Sequence, residues 1–210
     1  MLSEPISTLL GPEELAATNL MRQQFRVDVT RTYQFWEAAV ARLTGGALTE
    51  HGCPWDVELP YLDRPVRIEV KYAQESWCTF RSGRRAIFKF AAPKGLGAEK
   101  AADVITLIGI DAEQRVHTWV VPARSVRKCA SITLTSPRFR TGSSRARGID
   151  EFRCPPTQTL PEVLRAYRDH VGHKCHLHYD RDHHRQTAAA TRRAAVEAAG
   201  QLTITEETIR

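Results

Sequence analysis

Trp55-Asp56-Val57-Glu58-Leu59 and Arg67-Ile68-Glu69-Val70-Lys71 are two runs in which polar and apolar residues alternate, with the turn-forming stretch Tyr61-Leu62-Asp63-Arg64-Pro65 between them. A period of two marks a half-buried strand, because successive side chains point to opposite faces. Val57 and Leu59 therefore share one side and Asp56 and Glu58 the other. In the second run Ile68 and Val70 face inward, while Glu69 and Lys71 project together from the opposite face. The short connection predicts that the two strands pair. As neighbours they gather up to three carboxylates and one ammonium on a small patch.

Working outward, Pro12 to Leu43 has helical spacing, with Leu15, then Trp36, Ala39, Val40 and Leu43 as an apolar stripe, and Gly45 and Gly46 end it. Further strand-like runs lie at Ala86 to Phe90, Val104 to Ile110 and Val116 to Val121, with a weaker one at Ser131 to Thr135. Arg138 to Gly148, rich in Ser, Gly and Arg, reads as a basic loop, and Pro161 opens a short helix over Glu162 to His170. Helix, then strands, then helices gives an α/β (α+β) fold with a central mixed sheet flanked by helices. The expected division is a catalytic-type domain over residues 1–160 and a His-rich connector with a helical C-terminal extension over 161–210. In that extension, Thr187 to Ala199 and Thr203 to Ile209 read as two helices. The second is too short for a recognition helix, so packing or dimerisation is its expected role.

The chain has 210 residues, of which 42% are hydrophobic and 26% charged, which excludes disordered and collagen-like classes. Val104 to Ile110 is far too short to cross about 30 Å of hydrocarbon, and Glu4 and Pro5 interrupt anything like a secretory signal. A cytoplasmic protein without a membrane role is expected. The five cysteines are odd in number and lack a Cys-x-x-Cys pair, which speaks against a disulfide framework.

Lys and Arg total 30 against 24 Asp and Glu, a formal net charge of +6, and the excess is blocked. From Ser76 to Ala98 there are Arg81, Arg84, Arg85, Lys89 and Lys94 and no acid; from Gln114 to Ile149 there are eight basic residues, Arg138, Arg140, Arg145 and Arg147 among them, again with no acid. Such stretches suit a polyanion, since each phosphate neutralised releases condensed counterions. Beside them, Asp56 and Glu69 offer hard oxygen donors of the kind Mg²⁺ takes, one or two carboxylates with water and substrate phosphate completing the octahedron. A metal so held acidifies a bound water, and Lys71 can orient that water or help deprotonate it.

Glu37 on a helix, Pro54-Trp55-Asp56, then Ile68-Glu69-Val70-Lys71, in that order, resemble the PD-(D/E)XK nuclease superfamily over roughly Tyr33 to Pro122. Trp55 stands where the signature has proline. The resemblance implies a restriction-endonuclease-like core, with Asp56 and Glu69 as metal ligands, Lys71 as the catalytic lysine and Glu37 as a further ligand or water anchor. It implies a Mg²⁺-dependent endonuclease (Mn²⁺ as a substitute) that hydrolyses double-stranded DNA site-specifically, restriction-like or homing-like, as a homodimer or higher homo-oligomer. Arg81, Arg84, Arg85, Lys89, Lys94, Arg138, Arg140, Arg145 and Arg147 are then the DNA-binding set. Glu58 ranks below Asp56 as a ligand, and Gln74 touches substrate or ends the strand. The alternatives are a structure-selective junction or repair nuclease, and a non-catalytic DNA-binding protein on the same scaffold. In the tail, His170, His173, Cys175, His176, His178, His183 and His184 raise zinc, but their spacing fits no standard finger and an exposed His-rich connector is favoured.

Overall fold

A computed structural model describes residues 2–50, 53–62, 64–81, 83–91, 102–126, 131–139 and 148–169. The chain divides into two compact units, residues 1–170 and 171–210, the second lying wholly outside the described residues. In chain order the first unit runs β1 (Ser3–Pro5), α1 (Pro12–Phe25), α2 (Tyr33–Thr44), β2 (Ala47–Leu48), β3 (Val57–Leu59), β4 (Val66–Phe80), β5 (Gly83–Ala91), β6 (Val104–Ile110), β7 (Arg115–Pro122), β8 (Ser131–Thr135), β9 (Arg153–Cys154) and α3, helical over 159–169.

The single helix expected from Pro12 to Leu43 is two helices. Arg26 takes a left-handed φ of 54° after α1, and the Asp28 carboxylate then binds the Thr30 N–H and hydroxyl, closing a tight turn over Val29–Arg31. Thr32 restarts the chain as the N-cap of α2 by accepting from the Phe35 N–H. These local oxygen caps outweigh the apolar spacing that spans the break. Gly45, at φ 70°, ends α2 as expected.

The sheet runs β1-β7-β6-β4-β3-β2, mixed because β4 and β6 are parallel while the β2–β3, β3–β4, β6–β7 and β7–β1 pairs are antiparallel. β5 pairs with the distal part of β4 and with β8. All seven residues of β6 are buried, as befits a central strand covered on both faces. On one face α2 lays Trp36, Ala39 and Val40, with the Trp36 ring stacked on Tyr72 at 6.0 Å. On the other, β5 and β8 fold over and bring Phe88, Phe90, Ile132 and Leu134 against Ile105, Leu107, Trp119 and Val121. Gly109 lies where a Cβ would stand 3.0 Å from the Phe88 ring, so only glycine lets that ring close on the sheet.

α3 belongs to the first unit. Val163, Ala166 and Tyr167 are buried, and the Tyr167 hydroxyl accepts from Arg64 at 2.7 Å. The expected division after residue 160 therefore falls inside a packed helix, and the observed one comes ten residues later. Cys53, Cys78 and Cys154 are free, and burial pushes the Cys154 thiol up to about 12, leaving it an inert core group. Among the described residues no helix is long and apolar enough to cross a membrane.

Candidate active site

β4 is 15 residues long, and its two edges are treated differently. β6 covers one edge continuously from Ile68 to Gln74. The other edge is shared: β3 pairs with residues 66–68 and β5 with residues 75–80. Between them lies a gap in the ladder, and the sequence-predicted groups meet there.

Asp56 comes just before β3, and its backbone N–H still reaches the Ile68 carbonyl at 3.0 Å. Its carboxylate then continues the ladder in place of backbone, accepting from the Val70 N–H at 2.7 Å. Lys71 Nζ reaches the Val70 carbonyl at 3.3 Å and forms an ion pair with Glu69 Oε1. Both main-chain groups of Val70 are thus occupied by side chains of the candidate site. Glu69 is fully buried, Asp56 is 9% exposed, and the Lys71 side chain is 14% exposed. A buried carboxylate needs a partner to stay charged, and Lys71 supplies it.

Two further carboxylates, the lower-ranked Glu58 and the expected ligand Glu37, are elsewhere. Glu58 alternates with Asp56 in sequence, but Asp56 precedes the strand and the two carboxylates part. Glu58 accepts the Trp55 indole N–H at 3.0 Å, and the Arg67 guanidinium covers that indole at 4.3 Å from its centroid. Trp55, in the place of the signature proline, therefore ties up Glu58. Glu37 is half-buried on α2, the helix that covers the Tyr72 face of β4, whereas Glu69 and Lys71 project from the opposite face. Among the described residues no group of three or more His, Cys, Asp or Glu is gathered to hold a metal, so Glu37 does not complete a three-carboxylate set with Asp56 and Glu69. Asp56 and Glu69 alone remain a fitting pair of hard donors for Mg²⁺, which keeps most of its waters.

Gln74 does not end its strand, which runs six residues further to Phe80, and its side chain is exposed. Arg81, Arg84, Arg85 and Lys89 are exposed on the β4–β5 hairpin. Arg138 has a different role. It bridges Glu75 at 3.1 Å and Glu113 at 2.6 Å, clamping the end of β8 to the root of the hairpin. Lys94, Arg140, Arg145, Arg147 and the histidine-rich tail with its zinc question lie outside the described residues.

Sequence reasoning missed the Val70 backbone, because a main-chain role leaves no side-chain signal. It also missed a polar triad built on two buried residues, His117 and Asp111. His117 Nε2 lies 2.9 Å from Asp111 Oδ2, and Arg153 reaches His117 Nδ1 at 2.6 Å. Arginine only donates, so Nδ1 must accept and His117 is the neutral Nε2–H tautomer, donating to Asp111. Burial, opposed in part by Asp111 and aided by Arg153, lowers the His117 pKa below its ordinary value.

No protein-family model matches the sequence, and no curated protein matches it.

Proposed function

We propose that this chain is a Mg²⁺-dependent endonuclease of double-stranded DNA, built on a restriction-endonuclease-like core of the PD-(D/E)XK kind. The observation that carries the proposal is the convergence of Asp56, Glu69 and Lys71 on three consecutive residues, 69–71, at the gap between the β3 and β5 pairings along β4. A strand edge without a partner strand is where a phosphodiester can approach, and the three side chains there are an acid pair and a cation. Asp56 and Glu69 would hold Mg²⁺, which when bound acidifies water and neutralises charge on the phosphate. Asp56 is fixed for this by the Val70 N–H. Lys71 Nζ, set between the Glu69 carboxylate and the Val70 carbonyl, is positioned to orient the attacking water and to accept or donate a proton at Nζ. One such site cuts one strand, so a symmetric homo-oligomer cuts both.

The test is conversion of supercoiled plasmid by the wild type, Asp56→Asn, Glu69→Ala and Lys71→Ala, in Mg²⁺ and in EDTA, with far-UV circular dichroism to verify folding. Nicked, linear or discrete products in Mg²⁺ that vanish in EDTA and in the folded variants are expected. Activity that survives all three substitutions would exclude this centre. A second reading, DNA binding without turnover, is favoured by one observation: the Glu69 carboxylate is fully buried and already held by Lys71. It predicts retained, salt-sensitive binding of plasmid by the wild type and no products in any divalent cation.

A further inference from the structure

Beyond Glu75 the hairpin of β4 and β5 outruns the rest of the sheet. β6 leaves β4 at Gln74, β8 joins β5 at Ile87, and the Ser136 N–H just past β8 still donates to the Ala86 carbonyl at 2.9 Å, so beyond them the pairs Cys78↔Arg85, Thr79↔Arg84 and Phe80↔Gly83 form a two-stranded ribbon, with no third strand on either edge among the described residues. Three pairs at a strand's rise per residue project about 10 Å. The major groove of duplex DNA is about 12 Å wide and about 8.5 Å deep and admits a two-stranded ribbon. Charge fits the same partner: Arg81, Arg84 and Arg85 are exposed on the ribbon, the sequence from Ser76 through Ala91 has no acid, and Glu75 at the root is held by Arg138.

One arginine is preorganised. Arg84 lies over the Trp77 ring, 5.0 Å from its centroid, and Trp77 is itself 52% exposed. The diagonal cross-strand register puts the two residues on one face of the ribbon. A guanidinium stacked on an indole loses rotamer freedom, and stacking engages its face rather than its N–H edge. That edge is the group that pairs bidentately with guanine O6 and N7 in the major groove.

We propose that the β4–β5 ribbon is a recognition arm that enters the major groove of duplex DNA, and that Arg84, steadied by Trp77, reads a guanine. The inference rests on the proposed action on double-stranded DNA and adds where and how sequence is read.

The experiment is selection from a pool of random DNA duplexes in EDTA, so that nothing is cut, followed by sequencing of the retained molecules. Wild type, Arg84→Ala, Arg84→Lys and, as a control on the exposed face of α3, Arg168→Ala are compared, with thermal unfolding to show that all variants stay folded. The wild type and Arg168→Ala should enrich the same motif with a fixed guanine. Arg84→Ala and Arg84→Lys should lose preference for that guanine by roughly tenfold or more, since lysine keeps the charge but not the fork. A second pool made with 7-deazaguanine, which lacks the N7 acceptor, should erase the wild-type preference at that position. The same motif from wild type and Arg84→Ala would overturn the arm's role while leaving DNA binding intact. A guanine preference lost by Arg84→Ala but kept in full by Arg84→Lys would overturn the bidentate fork, since any cation at the guanine edge would then suffice. Retention of single strands in preference to duplexes would overturn groove entry. Failure of the wild type to retain any duplex would remove the DNA reading itself, and the arm with it.

Discussion

Lys71 neutralises a carboxylate that has no contact with water. Removing the ammonium alone strands that charge, and breaking such a buried pair typically costs about 3–5 kcal/mol. Lys71→Met should therefore lower unfolding stability by roughly that amount, and the double variant Glu69→Gln/Lys71→Met should recover most of it, both read from urea unfolding. Equal instability of single and double variants would show that packing, not charge, holds the pair. His117 allows a second prediction at this scale. Its folded pKa is depressed by burial, so the unfolded chain takes up a proton first as pH falls. Stability is fully present above about pH 6.5 and declines as pH drops below it. Tm measured between pH 8 and 5 should fall less steeply for His117→Gln than for the wild type. At this scale the sequence exposed Asp56, Glu69 and Lys71 through their types and alternation. It did not expose Glu58's diversion to Trp55, because alternation counts residues along a strand and cannot show that the strand begins one residue after Asp56.

Strand positions followed from patterning where both faces are buried or one is clearly apolar. Val104–Ile110 and Ser131–Thr135 have the bounds that their composition suggests, and the β3–β4 pair is antiparallel across its Leu62 turn. The long β4 was not legible past Lys71. Gln74 to Phe80 mixes Trp, Phe, Ser, Thr and Cys without a polar face, since an isolated ribbon buries neither side well. The helix break at Arg26 was missed for the opposite reason: Asp28 and Thr32 are caps that act over three residues, beneath a helical stripe that spans thirty. Packing between elements is testable at Gly109. Alanine there drives a methyl into the Phe88 ring, which is itself fully buried and has little room to yield. Gly109→Ala should cost about 1–3 kcal/mol, and the companion change Phe88→Leu should return part of it, by chemical denaturation.

Over the whole molecule, the blocks of positive charge told more than the net +6, yet they did not separate grip from structure. Arg138 and Arg81 look alike in sequence; one is neutralised by Glu75 and Glu113, and the other stands exposed at the hairpin turn. Arg81→Ala should flatten the slope of log affinity against log salt by about 0.9, the contribution of one phosphate contact on duplex DNA. Arg138→Ala should leave that slope unchanged and lower Tm instead, since it unclamps β8 from the hairpin root.

The gap along β4 has a consequence for how such a protein can change. In the proposed reading, reaction chemistry belongs to residues 69–71 and base contact to residues 77–85 of one continuous hairpin, with the Glu75–Arg138 ion pair between them. Extending or exchanging the ribbon beyond Glu75 by two residues in each strand preserves which face every side chain occupies. On that reading, new target preferences would be graftable at the tip, by selection or by design, with Asp56, Glu69 and Lys71 left untouched.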